Sequence, residues 1–479
     1  MEKIIGRAEE RALLADVLKS KGAALVAVYG RRRVGKTFLI HTYFNDRLAF
    51  ELTGMYGASL KEQLQQFSKA MQKATGSVLS LKSPANWVEA FHALEQYLAG
   101  KNKGKKWVVF LDEFPWLDGR KSGFLSAFEH FWNTWASRQP NMLVVICGSA
   151  ASWMIRNIVN NRGGLHNRIT QKIRLLPFTL AETETYLKTL GSNIDRYQIL
   201  QIYMALGGVP QYLKSAGKGS SAMQVIERAC FTKDGLLTGE FKNLYGSLFE
   251  IADNHIKVVR ALAITAKGLT RQEIIDTCGL SSGGRTTMML EELEESGFIK
   301  SVLPYDKTTK DSIYRLIDEF SIFYLKFMDK IRSSGKDTWA KLSAAASYKI
   351  WCGMAFEAVC LKHVEQIRKG LGIQGIETEE SAWRYVPGKG QNESGAQIDL
   401  LIDRKDRCIN VCEMKFYTEE YSIDKSYAGE LEQKLQVFAK KTKTKKTLFL
   451  TMITTYGIRE NNYSARMVQK SLTMDMLFE

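Results

Sequence analysis

The chain has 479 residues, of which 45% are apolar and 25% charged, a balance typical of a folded globular protein rather than of a disordered or fibrous one. This length exceeds what one hydrophobic core normally supports, so we expect two or three domains. The formal net charge is +16, which favours a polyanion such as nucleic acid as a partner. A merely basic protein without such a partner is the alternative.

The seven cysteines form no Cys-x-x-Cys pair. Their odd number and their scatter argue against a disulfide framework and for a reducing compartment. Charged residues interrupt the first residues too often for a signal peptide, and no apolar run is long enough to span a membrane. The sequence therefore predicts a cytoplasmic protein with no membrane partner.

The first informative stretch is residues 24–40, which read ALVAVYGRRRVGKTFLI. An apolar run predicts a buried strand, and the residues after it fit G-x-x-x-x-G-K-[ST] at every fixed position before a helix begins. In such a loop, backbone N–H groups surround a phosphate at the positive end of the helix. Lys36 would reach the β and γ phosphates, and the Thr37 hydroxyl would hold Mg²⁺. We expect a nucleoside triphosphate here, with ATP the first candidate.

The nucleotide-binding residues predicted from this loop form one continuous segment. The motif assigns no fixed role to its three arginines. The segment consists of Gly30, Arg31, Arg32, Arg33, Val34, Gly35, Lys36, Thr37 and Phe38.

Two further apolar runs complete the predicted nucleotide site. KKWVVFLDEFPWL (105–117) predicts a strand that ends at Asp112, at the edge where parallel sheets bind ligands. Asp112 would bind Mg²⁺ through water, and Glu113 would polarise the attacking water. NMLVVICGSAASWM (141–154) predicts another buried strand ending at Ser149, which either senses the γ-phosphate or caps a helix.

Six motifs occur in an order that resembles the archaeal-type AAA+ ATPases, a STAND-related branch. They are IIGRAEERALL (4–14), the loop at 30–37, FLDEFPWL, ICGSAASWM, NRITQKIRLLPFTLAE (167–182) and GGVPQYL (207–213). The resemblance covers roughly residues 1–330 and implies a P-loop parallel sheet with a helical lid. It also implies that Arg168 is an arginine finger or related sensor, and that residues 207–210 lie in the lid near the nucleotide. From the residues alone, Arg168 could equally be a surface arginine, and Arg162 is a rival.

Residues 256–318 have the pattern of a winged helix. Thr270 and Glu273 form a capping box, a further helix precedes FIKSVLP, and SIYRLID (312–318) could pair with that run as a wing. In this architecture Arg285, Thr286 and Thr287 would reach DNA. The alternative is a protein-contact or lid module, because acidic residues follow from Glu291 onward.

The stretch GAQIDLLIDRKDRCINVCEMKFY (395–417) predicts two strands joined by a turn. Residues two apart in a strand face the same way, so Glu413 and Lys415 share a face. Pairing of the strands can bring Asp399 beside them. Two carboxylates and a lysine suit metal-assisted phosphodiester hydrolysis, with Asp399 and Glu413 holding Mg²⁺ and Lys415 positioning the water.

This D-x(13)-E-x-K pattern resembles the PD-(D/E)xK nuclease superfamily, whose domains commonly follow the ATPase in the same archaeal-type family. The resemblance implies a metal-binding Glu on a preceding helix, which would be Glu357 in YKIWCGMAFEAVCLKHV (348–364), and a polar helix afterwards, ELEQKLQVFAK (430–440). The proline of the superfamily name is absent, and Ile398 precedes the Asp instead. A solvated charged face, or a nuclease-like fold that only binds, remain the alternatives.

Together these observations predict an α/β protein with a P-loop ATPase domain and helical lid (1–250), a winged helix (251–330) and a restriction-endonuclease-like α/β domain (345–479). The expected function is ATP hydrolysis coupled to DNA binding and Mg²⁺-dependent cleavage; the alternative is an ATP-dependent switch or scaffold that binds DNA or protein without cutting. A second copy or another protein is a further expected partner. The predicted catalytic residues are Glu113, Arg168, Asp399, Glu413 and Lys415. The predicted metal ligands are Thr37, Asp112, Glu357, Asp399 and Glu413.

Overall fold

The computed structural model describes residues 3–101, 104–149, 151–159, 165, 167–249, 251–265, 267–331, 335, 337–388 and 394–479. It divides into two compact units, Met1–Leu176 with Asn243–Ala252, and Pro177–Lys242 with Asp253–Glu479. All seven cysteines lie in the described part and are free thiols. None of the described helices has the length and apolar character that a membrane crossing requires.

The first unit alternates strands and helices. Its strands are β1 (Ala24–Tyr29), β2 (Leu48–Thr53), β3 (Trp107–Asp112), β4 (Met142–Gly148) and β5 (Gln171–Arg174). Its helices are α1 (Ala8–Lys19), α2 (Lys36–Phe44), α3 (Leu60–Thr75), α4 (Trp87–Ala99), α5 (Phe114–Leu117), α6 (Phe124–Thr134) and α7 (Ala151–Met154).

The strands of the first unit form a parallel sheet in the order β2-β3-β4-β1-β5. β1 and β4 are buried along their whole length, as expected when helices cover both faces of a parallel sheet. One face carries aromatic side chains of α3, α4 and α6, and α1 and α2 pack on the other. The aromatic run at 128–135 belongs to this core, since Phe128, Phe131 and Trp132 are buried. A parallel P-loop-type α/β fold, as predicted, is confirmed.

The second unit begins with helices α8 (Leu180–Thr189), α9 (Arg196–Leu206), α10 (Pro210–Leu213) and α11 (Ala222–Cys230). Helix α12 (Glu240–Leu248) begins in the second unit and belongs to the first unit from Asn243 onward. The sequence assigns residues 177–242 to the ATPase domain, whereas here they group with the second unit. Their packing explains the grouping, because Tyr203 and Tyr212 contact the rings of His363 and Phe320.

The middle of the second unit combines helices with a small antiparallel sheet of order β6-β8-β7. Thr270 caps its helix and Glu273 completes the capping box, as the sequence predicts. Its elements are α13 (Ala252–Ile264), β6 (Leu269–Thr270), α14 (Arg271–Cys278), α15 (Gly284–Glu295), β7 (Ile299–Val302), β8 (Ile313–Leu316) and α16 (Glu319–Phe323).

The remainder of the second unit forms a mixed sheet of order β13-β12-β11-β10-β9. β9, β10 and β11 are antiparallel neighbours, while β12 and β13 run parallel to β11. The elements are α17 (Thr338–Ser343), α18 (Ala346–Lys362), α19 (Val364–Gly370), β9 (Thr378–Tyr385), β10 (Ala396–Arg404), β11 (Cys408–Lys415), α20 (Lys425–Thr442), β12 (Thr447–Thr454), α21 (Asn462–Met467) and β13 (Lys470–Thr473). Phe438 of α20 packs into the core that Ile398 and Val411 form.

Candidate active sites

The loop between β1 and α2 depends on glycine at its first position. Gly30 has φ +150°, and a Cβ there would lie 2.3 Å from the carbonyl oxygen of Leu175. Any other side chain would therefore push the loop away from β5. Gly35 precedes α2 with φ +93°, a conformation that is strained for residues with a side chain.

Lys36 lies at the centre of this loop and is only 6% exposed. Its Nζ donates hydrogen bonds to the carbonyl oxygens of Gly30 at 3.0 Å and Arg31 at 2.9 Å. Burial lowers the pKa of Lys36, while Cys147 and the carboxylates of Glu113 and Asp112 oppose the shift. The ammonium is thus directed at the loop interior, where the motif places phosphates.

Thr37 and Asp112 come together although 75 residues separate them in sequence. The Thr37 hydroxyl donates to Oδ2 of Asp112 at 2.7 Å, and Asp112 is buried at the end of β3. A hydroxyl and a carboxylate oxygen are ligands that Mg²⁺ accepts directly or through water. These two residues therefore fit the predicted cation chemistry.

Glu113 follows with a backbone φ of +44°, which is uncommon for a residue with a side chain. Its Oε2 accepts hydrogen bonds from Ser149, at 2.6 Å from the hydroxyl and 3.3 Å from the backbone N–H. The predicted sensor and the predicted water-polarising carboxylate are therefore bonded to each other. Ser149 thus contacts Glu113, a contact that a role as helix cap alone does not explain.

The remaining loop residues divide by exposure. Arg31 and Val34 are buried, and Arg32, Arg33 and Phe38 are exposed. The Arg32 guanidinium lies 5.8 Å from the ring centroid of Trp116.

Sequence reasoning gave no role to Arg7, which is 6% exposed and donates through Nη2 to the carbonyl of Val34 at 3.2 Å. The only signal for it is its position in the IIGR motif just before α1.

Arg168, the predicted arginine finger, is exposed between β4 and β5. Its rival Arg162 lies outside the described residues. In the motif at 207–210, a Cβ on Gly208 would lie 1.9 Å from the carbonyl oxygen of Phe178. Close backbone packing within the second unit therefore explains this glycine.

The carboxylates predicted near the C-terminus lie on neighbouring strands. β10 and β11 pair with Leu400 opposite Cys412, and the same register places Asp399 opposite Glu413. The β9–β10 register shifts between Ile398 and Leu401, so Asp399 lies at an irregularity of the kind that redirects side chains near functional sites.

Asp399 is held by two side chains. Arg315 Nη2 donates to its Oδ1 at 3.0 Å, and Gln397 Nε2 donates to the same oxygen at 2.7 Å. Sequence reasoning named neither residue. Gln397 could have been found, because residues two apart in a strand share a face. Arg315 is distant in sequence, and its strand pattern gave no indication of this contact.

Glu413 has its own partners. Lys434 of α20 forms an ion pair with its Oε1, and the Tyr427 hydroxyl donates to its Oε2 at 3.2 Å. The Lys415 ammonium lies 4.8 Å from the Tyr427 ring centroid. Lys434 belongs to the polar helix that the nuclease resemblance implies, and it contacts the predicted metal ligand directly.

Glu357 of α18 belongs to the same electrostatic group. Burial raises its pKa, and Asp399 raises it further, while Arg315 and Lys415 lower it. These oxygen donors suit Mg²⁺ chemically. Within the described ranges, however, no three His, Cys, Asp or Glu side chains are close enough together to hold a metal ion. Asp399 and Glu413 are each paired with a cationic side chain instead.

The predicted DNA-contacting residues lie in the first turn of α15. Arg285 and Thr287 are exposed, but Thr286 is 2% exposed and donates to the carbonyl of Ser281 at 2.6 Å. Thr286 therefore caps the preceding loop and cannot reach a ligand without a rearrangement.

Comparison with known proteins bears on the first of these sites. Residues 5–216 match the family described as an ATPase domain predominantly from Archaea. An uncharacterised protein of Methanocaldococcus jannaschii is 23% identical over 368 residues, which is 76% of this chain and 78% of that protein. A Walker-type ATPase of Pyrococcus abyssi is 20% identical with a TM-score of 0.48, covering 67% of this chain and 96% of that one. The ORC2 protein of Aeropyrum pernix is 16% identical with a TM-score of 0.41, covering 72% and 98%.

The family match supports the ATP-binding and ATPase predictions made from the loop at 30–37. The match ends at residue 216 and does not extend to the C-terminal carboxylates. The similarity to this predominantly archaeal family of ATPase domains therefore concerns residues 5–216.

Proposed function

We propose that this protein uses ATP binding and hydrolysis to control Mg²⁺-dependent cleavage of DNA by its C-terminal domain, residues 345–479. The observation that carries the proposal is the arrangement around Asp399 and Glu413. Burial raises the pKa of Glu357 on α18, Asp399 on β10 and Glu413 on β11 raise it further, and Lys415 on β11 lowers it. The elements follow the order that the nuclease resemblance implies, and a positively charged chain suits a phosphate backbone.

In this site Asp399, Glu413 and Glu357 would hold the cation, and Lys415 would orient the water. A bound Mg²⁺ would lower the pKa of that water and so favour the nucleophile. Lys434 and Tyr427 orient the carboxylate of Glu413 through their hydrogen bonds to it. Asp399 lies directly before two buried residues of the core, Leu400 and Leu401.

In the ATPase domain, Lys36 would bind the phosphates, and Thr37 and Asp112 would hold the Mg²⁺ of the nucleotide. Glu113 polarises the attacking water, and Ser149 orients Glu113 through the hydrogen bond at 2.6 Å. Arg168 acts as the arginine finger; its exposure suits a residue that completes a site in its own chain or in a second copy. The winged-helix region, residues 251–330, contributes DNA contacts through Arg285.

A second candidate function is an ATP-dependent switch whose C-terminal domain binds DNA or protein without cutting it. The observation in its favour is that Asp399 and Glu413 are both ion-paired with protein cations. A carboxylate neutralised in this way attracts Mg²⁺ less strongly than a free one.

Cleavage of labelled linear, circular and branched DNA, with Mg²⁺ or Mn²⁺ and with or without ATP, separates the two candidates. The test variant is Lys415→Ala, and Lys405→Ala is its matched control. Lys405 lies on the β10–β11 turn and pairs with Glu379, away from the predicted metal ligands. We expect cleavage by the wild type and by Lys405→Ala, and none by Lys415→Ala. ATPase activity without metal-dependent cleavage of any substrate would favour the switch.

A further inference from the structure

Arg315 belongs to β8, outside the mixed sheet that carries Asp399, Glu413 and Lys415. Its side chain is 5% exposed. Nη2 donates to Oδ1 of Asp399 at 3.0 Å, and Nη1 lies 3.5 Å from the Asp399 carbonyl oxygen. A buried cation from one sheet therefore binds a predicted metal ligand on another.

The contact leaves polar atoms without partners. Among the described residues, Nε of Arg315 and Oε1 of Gln397 are buried and have no hydrogen-bond partner. A structural arginine–carboxylate pair normally uses both carboxylate oxygens in a forked geometry, whereas here Arg315 and Gln397 both bind Oδ1. Buried polar groups without partners destabilise a structure. A different arrangement of the Arg315 and Gln397 side chains can gain the hydrogen bonds that these two atoms lack here.

Contacts before and after β8 connect its sheet to the elements that carry the C-terminal carboxylates. Lys300 of β7 pairs with Glu380 of β9 at 3.0 Å, and the Tyr305 N–H donates to the Ala382 carbonyl at 2.8 Å. These contacts attach the small antiparallel sheet to the edge strand of the mixed sheet.

On the C-terminal side of β8, Glu319 accepts from Lys362 at 2.9 and 2.7 Å. Lys362 is on α18, the helix that carries Glu357. The segment after β8 is therefore connected to the helix that carries one of the predicted metal ligands.

We propose that Arg315 is a latch on the C-terminal site: its guanidinium neutralises the carboxylate of Asp399, and the site binds a divalent cation only after Arg315 withdraws. This rests on the proposed nuclease function and names its regulation. A guanidinium and a divalent cation repel each other when they share one carboxylate oxygen. Departure of Arg315 restores the negative charge of Asp399 beside Glu357 and Glu413.

The test is a titration of the full chain with Mn²⁺ in the absence of nucleotide. Electron paramagnetic resonance of the free ion measures how much Mn²⁺ is bound. Arg315→Gln removes the charge and should tighten Mn²⁺ binding by about tenfold, the change expected for loss of one charge-assisted contact. The double variant Arg315→Gln with Asp399→Asn should lose this gain. Arg260→Gln is the matched control, because Arg260 binds Asp329 in the same unit at 2.5 and 2.8 Å, and it should bind Mn²⁺ as the wild type does.

If Arg315→Gln does not fold, as judged by circular dichroism, Arg315→Lys serves as the second variant. It keeps the charge but has no forked guanidinium to contact Oδ1 and the backbone carbonyl of Asp399 together, so a smaller gain is expected. Unchanged Mn²⁺ affinity in the folded variant, or an equal gain in Arg260→Gln, would overturn the latch.

Failure of the latch and failure of the nuclease proposal give different results. Cleavage by the wild type with no effect of Arg315→Gln on Mn²⁺ binding refutes the latch alone. An Asp399-dependent gain in Mn²⁺ affinity without cleavage by any variant supports the latch and refutes the nuclease.

Discussion

The Ser149 hydroxyl and the Glu113 carboxylate are joined by a hydrogen bond of 2.6 Å at the carboxyl ends of neighbouring parallel strands. Glu113 takes a left-handed backbone conformation there, with φ +44°. Strained backbone of this kind persists where the surrounding structure fixes it, often at active sites. We therefore expect this pair to affect the rate of ATP hydrolysis rather than the affinity for ATP.

Glu113→Gln should retain ATP binding and slow hydrolysis by about 10² to 10⁴, the usual contribution of a positioned general base. Lys36 and Thr37, which are proposed to contact the nucleotide, are unchanged in this variant. Single-turnover phosphate release together with equilibrium ATP binding provides the measurement. Ser149→Ala should cause a smaller loss, because Glu113 remains but is no longer oriented. Wild-type turnover in Glu113→Gln would remove this residue from the mechanism.

Lys36→Ala should weaken ATP binding by about 100-fold, because a charged hydrogen-bond donor to the phosphates is lost. Titration with a fluorescent ATP analogue measures the affinity. Lys105→Ala is the control, since Lys105 is an exposed lysine before β3 and should bind the analogue as the wild type does. Equal affinity of Lys36→Ala and the control would refute the assignment of the phosphate-binding loop.

His363 makes the stability of the second unit depend on pH. Burial lowers its pKa to about 4 from 6.5. The neutral ring donates from Nδ1 to the Val359 carbonyl at 2.8 Å and accepts at Nε2 from the Leu180 N–H at 3.2 Å. Protonation would destroy the acceptor.

Below pH 6.5 the unfolded chain therefore binds a proton that the folded chain excludes, down to about pH 4. The stability from this group is complete above pH 6.5 and falls by about 3 kcal/mol as the pH decreases to 4. Thermal unfolding of the wild type and of His363→Gln is measured across this pH range. Because the other titrating groups are the same in both proteins, the difference between the two stability profiles reports His363 alone. His130→Gln, at an exposed histidine, should behave as the wild type. Parallel pH profiles for the wild type and His363→Gln would contradict this account.

Arg285→Ala should weaken DNA binding at all sequences and reduce the slope of log K against log salt by about one, as for loss of one phosphate contact. Fluorescence anisotropy over a range of salt concentrations measures both. Lys69→Ala, an exposed lysine on α3 of the first unit, is the control for a change in net charge. An unchanged slope in Arg285→Ala would exclude α15 from the DNA interface.

The phosphate-binding loop could be predicted from sequence because its chemistry depends on backbone conformation. Gly30 and Gly35 are needed for the loop geometry, and Lys36 and Thr37 directly follow Gly35. Asp112 was predictable because a fully apolar run ends at it. The register of the parallel strands, which brings Thr37 to Asp112, depends on the whole sheet, but the motif already implies their proximity.

Contacts between modules were not predictable. Arg315 and Asp399 are 84 residues apart, and nothing in either local pattern relates them. Thr286 illustrates a similar limit, since its position on α15 predicts a ligand contact, while the fold of the preceding loop buries it against the Ser281 carbonyl. Local patterns specify elements well, whereas burial and partners of a charged side chain depend on how those elements pack.

The central claim is that ATP bound by Lys36 controls cleavage at Asp399 and Glu413. The most direct test compares the DNA cleavage rates of the wild type and Lys36→Ala, each with and without ATP at fixed Mg²⁺. The account predicts that ATP changes the rate of the wild type and leaves that of Lys36→Ala unchanged. Equal effects of ATP on both proteins, or no cleavage by either, would contradict it.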